Sequence, residues 1–346
     1  MSIYDMTIGD LEKYLEEKNL KKFTASQIFE WIYKKRIKSF DEMTNIKKET
    51  IELLKRDFTI DDINVVDKKV GKDVIKFLFK LKDERYIEAV LMHHDYGYSL
   101  CVSSQVGCNM GCAFCESGRL KKVRNLETHE IVLQILKIEE IMNLRISHVV
   151  MMGIGEPFDN YDNIIKFIDI INSGKGIDIG ARHITVSTCG IVPKIKEFIN
   201  NGKQINLAIS LHAPNNQIRN KIMNINKAYP IEELISVLKE YIEKTNRRVT
   251  FEYILLSGVN DTKECALELA NLIKGMNAYV NLIPYNETSH IEFKRSSKEN
   301  IDIFYDTLKK NKINVTIRRE FGGNVDAACG QLISKYEGGS KWNIII

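Results

Sequence analysis

No run of about 18 apolar residues occurs anywhere in this 346-residue chain, so no membrane-spanning helix is expected. The opening residues, MSIYDMTIGD, are too polar for the apolar stretch of a secretory leader. The expectation is therefore a cytoplasmic protein, in a reducing compartment that leaves its thiols available. Neither sign of charge dominates: 50 Lys and Arg face 46 Asp and Glu, a net charge of +4. That balance permits a nucleic-acid partner without arguing for one. Low-complexity tracts and linkers are missing too. No second C-x2-C and no His pair stand at a zinc-finger distance from the cysteines near residue 110, which argues against a structural zinc site with its four ligands. A disulfide framework suits a chain of this length without a leader poorly.

What the chain does have is a concentration of cysteine. Four of its seven cysteines lie between Cys101 and Cys115, in C-V-S-S-Q-V-G-C-N-M-G-C-A-F-C. Cys108, Cys112 and Cys115 form a C-x3-C-x2-C set. Three thiolates at that spacing can hold three corners of a [4Fe–4S] cube and leave the fourth iron open for another ligand. Hydrophobic content of 44% and charged content of 28% leave room for an ordinary globular core around such a site.

Residues 1 to about 60 read as helical, with Leu11, Tyr14 and Leu15 on one face and Ile28, Trp31 and Ile32 on another. Lys21, Lys22, Lys34, Lys35 and Arg36 fall between them. They form either a solvated face or a surface for an RNA backbone. Residues 74–81 and 86–92 read as a hairpin around KDER. Glu88 stands among apolar residues in its second strand; facing inward, it could act as a base. Strand-like runs then occur at 99–105, 146–153, 183–188, 205–211, 249–256, 279–285 and 313–319. Helix-like stretches separate them, around 128–143, 160–173, 191–201, 230–245, 261–275 and 297–311. This alternation implies an α/β fold, a partial (β/α)6-type barrel, with a small helical accessory domain before it. The expected division is an accessory domain at 1–72, a hairpin at 73–98, the barrel at 99–320 and a C-terminal segment at 321–346.

In such barrels chemistry sits at the C-terminal ends of the strands. The cysteine cluster follows the first strand, and polar motifs end several others: Gly155-Glu156-Pro157, Ser187-Thr188-Cys189-Gly190, Ser210-Leu211-His212 and Tyr285-Asn286. Each alone fits a turn, and His212 alone fits a hydrogen-bonded structural histidine; four polar tips on one rim favour a cofactor pocket. Glu156 is placed to hold an ammonium group. After the last strand, Cys329 sits in the glycine-flanked run F-G-G-N-V-D-A-A-C-G-Q, which suits a reactive thiol on a mobile loop better than a core position. Cys189 and Cys265 read as structural.

Taken together these segments resemble the RlmN/Cfr group of radical S-adenosylmethionine (SAM) RNA adenine methyltransferases. The resemblance rests on Q-I-F-E-W-I-Y-K-K-R (Gln27 to Arg36), D-E-M-T-N (Asp41 to Asn45), C-V-S-S-Q-V-G-C (Cys101 to Cys108), G-E-P (Gly155 to Pro157), S-L-H-A-P-N (Ser210 to Asn215), N-L-I-P (Asn281 to Pro284) and D-A-A-C-G-Q-L (Asp326 to Leu332). It spans essentially the whole chain. The chain departs from the usual pattern at Glu116 to Val123, at Asn224 and at Cys189.

The resemblance implies a [4Fe–4S] cluster on Cys108, Cys112 and Cys115. It implies two SAM molecules per turnover, with contacts from Gly155, Glu156, Ser187, Ser210, Leu211, His212 and Asn286. One SAM would methylate the Cys329 thiol. Reductive cleavage of the second would yield a radical that takes a hydrogen from that methyl group. The carbon radical so formed would add to an adenine ring carbon, an atom that is no nucleophile and so resists polar methyl transfer. Cys101 would then close a disulfide with Cys329 and release the base, with Glu88 accepting a proton. The G-E-P form matches the branch acting on adenine carbon 2, in the peptidyl-transferase centre of 23S rRNA and beside the anticodon in tRNA. The carbon-8 branch usually shows G-E-A. The target base would have to leave its stack to reach the barrel mouth. An electron donor such as flavodoxin or ferredoxin and a monomeric chain complete the expectation. The competing readings are a carbon-8 rRNA methyltransferase, a radical SAM enzyme of another reaction type, and an RNA-binding factor that keeps the cluster for structure.

Overall fold

The computed structural model describes residues 1–288 and 290–318. Helix α1 (Ile8–Glu17) starts where the Thr7 hydroxyl accepts the Asp10 amide and the Asp10 carboxylate accepts the Thr7 amide. This reciprocal cap satisfies donors that an α-helix leaves without partners at its start. Helices α2 (Thr24–Tyr33) and α3 (Lys48–Asp57) follow. Leu11, Leu15, Ile28, Ile32 and Leu54 are buried, while Tyr14 and Trp31 are half-buried at the edge. These faces belong to the same hydrophobic core as the barrel. Phe29 lies over Gly176, where a Cβ would come within 2.7 Å of the ring. Several cations of this region already have partners. Lys22 pairs with Glu12 and Glu16, Lys35 lies over the Trp31 ring at 3.5 Å, and Arg36 pairs with the buried carboxylate of Glu139.

Four antiparallel strands lead into the barrel: β1 (Asn64–Val70), β2 (Val74–Lys80), β3 (Tyr86–His94) and β4 (Gly97–Cys101). A two-stranded ribbon follows, β5 (Gln105–Val106) with β6 (Arg124–Asn125). The chain then alternates: α4 (Thr128–Met142), β7 (Ile146–Met151), α5 (Tyr161–Asn172), β8 (Ile184–Thr188), α6 (Val192–Asn200), β9 (Asn206–Ser210), α7 (Asn216–Ile222), α8 (Ile231–Thr245), β10 (Val249–Leu255), α9 (Lys263–Leu272), β11 (Ala278–Pro284), α10 (Lys298–Lys310) and β12 (Val315–Ile317). From β4 onward every neighbouring pair is parallel, in the order β4-β7-β8-β9-β10-β11-β12, and β1, β2 and β3 extend the same sheet beyond β4. This is the expected partial (β/α)6-type barrel. Among the described residues no helix is long and apolar enough to cross a membrane.

The structure corrects one boundary and adds two elements. The first barrel strand ends at Cys101, not at residue 105. Beyond it, Ser103 leaves the ladder because the buried Gln134 side chain of α4 accepts its amide at 2.9 Å and donates to its carbonyl at 3.1 Å. Strand β1 was not expected. Its burial alternates only between exposed and half-buried, and both faces mix valine with charge, so it carries no apolar period. Helix α7 was not expected either, being only seven residues long.

Because the helical region and barrel share a core, removing the Phe29 ring should destabilise the chain as a whole. Phe29→Ala is expected to cost about 3–5 kcal/mol, read as a lower urea midpoint for a single transition.

Candidate active site

The strand tips converge through hydrogen bonds from the C-V-S-S-Q segment. The Ser103 hydroxyl donates to the Glu88 carbonyl at 2.6 Å and accepts the Ile154 amide at 3.0 Å, linking β3 to the loop after β7. Gln105 donates to Asp159 at 2.9 Å and to Asn125 at 2.8 Å, while its carbonyl oxygen accepts the Glu156 amide at 2.9 Å. Gly155 has φ +109°, and an added Cβ would lie 2.7 Å from both Ser104 and Gln105. Only glycine lets the two loops approach this closely.

Glu156 is buried at the tip of β7, with two backbone amides on its carboxylate: Phe158 at 3.0 Å and Cys189 at 2.8 Å. Burial pushes its carboxyl up, against the pull of those amides and of Thr188. His212 has φ 58° and is buried. Its Nδ1 accepts the Ile254 amide at 3.0 Å, which puts the ring proton of the neutral form on Nε2. Burial, helped by Arg219, lowers it to about 3.

The cysteine loop has almost no regular structure and is fixed by backbone contacts. The Cys108 amide donates to Leu120, and the Ala113 amide donates to the carbonyl of Ile222 at the end of α7. Gly118 packs onto the loop so closely that a Cβ would stand 2.8 Å from the Cys112 carbonyl. The positions that depart from the family pattern sit here. Glu116 is buried and accepts Arg119 at 3.1 Å, with the His290 ring 3.5 Å away. Asn224 donates to the Gly111 carbonyl at 3.4 Å. Cys189 meets Glu156 through its backbone amide.

Cys108, Cys112, Cys115, Gly155, Glu156, Ser187, Ser210 and His212 line one cavity of about 150 Å³ at the strand tips. Burial pushes the Cys108 thiol up to about 12 and the Cys112 thiol well above its ordinary range. Metal binding would have to displace those protons. Among the described residues no three His, Cys, Asp or Glu side chains converge on a single ion. Three soft thiols spread around one cavity suit a polynuclear iron–sulfur cluster, in which each sulfur takes a different iron. The donor set therefore fits the expected cofactor.

Other expected site residues lie apart from this lining. The Leu211 side chain is in the hydrophobic core, so only its backbone could reach a ligand. Asn286 is half-buried and does not line the cavity. Cys101 is buried beside Val74, Val90, Met92 and Ile154. It shares a row with Lys76, Val90 and Val150 across β2, β3, β4 and β7. Glu88 is fully buried two residues from Val90 on β3, with Lys76 Nζ 3.3 Å from its carboxylate. Glu88 and Cys101 therefore point to one face of the sheet. Cys329 lies outside the described residues.

Two buried charges were not anticipated. Glu252 lines the cavity and accepts Asn281 at 2.9 Å, with Arg318 3.9 Å from its other oxygen. It is a lone strand carboxylate among apolar residues, the same signal that marked Glu88. Arg219 of α7 is fully buried beneath the strand tips, and nothing in N-Q-I-R-N-K-I distinguishes it from a surface arginine.

A partial parallel barrel with three cysteines around a pocket at its strand tips defines a radical SAM protein. Residues 102–272 match the Radical SAM superfamily, and residues 1–60 match the ribosomal RNA large subunit methyltransferase N-terminal domain. The chain is 57% identical over 341 residues to a probable dual-specificity RNA methyltransferase RlmN of Spiroplasma citri, covering 97% of this chain and 98% of that one. It is 54% identical over 336 residues to the protein of the same name from Acholeplasma laidlawii, covering 97% and 99%. The crystal structure of a radical SAM methyltransferase from Sphaerobacter thermophilus superposes with a TM-score of 0.88 at 39% identity, covering 96% of this chain and 99% of that one. The chain belongs to the RlmN family of radical SAM RNA methyltransferases.

His212 gives the site a pH signature. Its folded value of about 3 lies below the ordinary 6.5, so its contribution to stability is complete above about pH 6.5 and is lost as pH falls towards 3. Asparagine tolerates the left-handed backbone and offers an oxygen to the Ile254 amide. In urea titrations between pH 6.5 and 4, His212→Asn should show a stability slope shallower by up to about 1.4 kcal/mol per pH unit.

Proposed function

We propose that this chain methylates carbon 2 of adenine in 23S rRNA and in tRNA. The observation that carries the reading is the single cavity at the strand tips. It gathers three thiols, the amide-held carboxylate of Glu156 and the neutral ring of His212. The relatives named above are RNA methyltransferases, and the Gly155-Glu156-Pro157 form is that of the carbon-2 branch.

When bound, the cluster and SAM would supply a carbon radical able to take a hydrogen from a methyl group. The chain's own residues account for the rest. Cys108, Cys112 and Cys115 hold the cluster. Glu156, ionised by the arrival of a cation, takes the ammonium of SAM, and Gly155 lets that ligand lie against the backbone. His212 keeps Nε2–H as a donor at every pH above about 3. Cys329 carries the methyl-derived carbon to the base, and Cys101 then forms a disulfide with Cys329 as the Cys329 sulfur–carbon bond breaks, so that the base leaves with that carbon, protonated, as its methyl group. Glu88 accepts the proton lost from the adenine carbon, and Lys76 beside it favours the ionised form that can do so. An electron donor of the flavodoxin or ferredoxin class, two SAM molecules per turnover and a monomeric chain in the cytoplasm belong to the same reading.

The test incubates the reduced, iron-loaded full chain with SAM and unmodified 23S rRNA fragment or tRNA, and identifies the product nucleoside by mass spectrometry. The expected product is 2-methyladenosine, absent with Cys329→Ala. A carbon-8 product would overturn the regiochemistry. SAM cleavage without any methylated adenine in either RNA would overturn the reading as a whole.

A further inference from the structure

The Arg219 guanidinium is fully buried, and four of the five N–H bonds of a guanidinium are engaged. Nε donates to the Leu211 carbonyl at 3.1 Å, and Nη1 to the Asn226 side-chain oxygen at 3.0 Å. Nη2 donates to the carbonyls of Cys189 at 2.6 Å and Ser210 at 3.2 Å. Every acceptor is neutral. Among the described residues no carboxylate stands within ion-pair distance of this cation. A buried charge satisfied only by dipoles is costly unless a counter-charge is supplied.

The helix that carries Arg219 also carries the cysteine loop. Ile222, three residues on, accepts the Ala113 amide at 2.9 Å, between Cys112 and Cys115. Phe114, Ile222 and Met223 share a hydrophobic cluster against which Cys112 and Cys115 pack. Arg219 thus sits on the short helix whose last residue anchors the cysteine loop, and it is not among the residues that line the cavity.

We infer that Arg219 is the buried counter-ion of the iron–sulfur cluster, setting its reduction potential as well as pinning the tips of β8 and β9. Three thiolates outweigh the positive charge of the cube, and reduction adds one further negative charge. A fixed cation near the cube stabilises the reduced form more than the oxidised one, and so raises the potential. The anionic cluster in turn offsets the cost of burying the guanidinium. Arg219 touches no reacting atom on this account; it is a positioning and tuning residue. The inference rests on the cluster reading above.

The experiment is an EPR-monitored redox titration of the anaerobically reconstituted full chain, without SAM, with iron and sulfide counted per chain. Arg219→Met removes the cation. Asn226→Asp keeps the arginine and its carbonyl bonds but sets a carboxylate against Nη1. Arg219→Lys keeps the charge and loses the fork. The midpoint potential should fall in Arg219→Met and in Asn226→Asp, and stay near the wild-type value in Arg219→Lys. A merely structural role would lower iron content and thermal stability yet leave the potential of the loaded fraction unmoved, and that result would overturn the inference. If Arg219→Met does not fold, Asn226→Asp decides alone: a lowered potential supports the counter-ion, an unchanged one refutes it. A wild-type chain that takes up no iron would instead refute the cluster reading itself.

Discussion

Three thiols must be held around one cavity by a loop that cannot hold itself. Between Cys108 and Cys115 there is no helix or strand, and the Cys115 amide closes a single turn onto the Cys112 carbonyl. Its position comes from outside, from Leu120 on one side and Ile222 on the other, with Gly118 pressed against the Cys112 carbonyl. Those supports are in turn fixed by the barrel. Helix α7 is tied to β8 and β9 through Arg219, and the ribbon of β5 and β6 runs beside the loop after β7 through Gln105 and Asp159. The parallel sheet brings all of these tips to one end, which is why a fold of this kind can host the chemistry there.

Electrostatics separates the groups in the cavity. Burial favours the neutral forms of Cys108, Cys112, Glu156 and His212, raising the first three and lowering the last. Glu156 and Arg219 grip the same peptide from opposite sides, one accepting the Cys189 amide and the other donating to the Cys189 carbonyl. Both contacts run through the Cys189 backbone and so do not depend on its side chain. The neighbouring site on the inner face of β3 and β4 is different in kind, a buried Lys76–Glu88 pair beside Cys101. One compartment gathers thiols, a carboxylate and a neutral imidazole; the other holds an ion pair beside a thiol.

Much of this was legible in the sequence because it follows period and spacing. The barrel strands and their helices stand out as alternating apolar runs, and the tips as polar residues after them. The cysteine spacing and the G-E-P turn pointed to the pocket that Cys108, Glu156 and His212 line. What stayed hidden depends on tertiary pairing. Arg219 and Gln134 look like surface residues until their donors are seen to satisfy carbonyls of other segments. Strand β1 has no apolar face of its own and joins the sheet through its ladder with β2. The cations at Lys22 and Arg36 suggested a basic face, yet their partners Glu12, Glu16 and Glu139 neutralise part of it.

On the proposed function, Cys108, Cys112 and Cys115 hold a cube whose fourth iron is open to SAM. The most direct measurement is EPR of the reduced, reconstituted chain before and after SAM is added, alongside iron and sulfide analysis. The expected result is one [4Fe–4S] cluster per chain, a spectrum changed by SAM, and loss of the cluster in Cys112→Ala. A spectrum indifferent to SAM, or a chain that binds zinc and no iron, would contradict it.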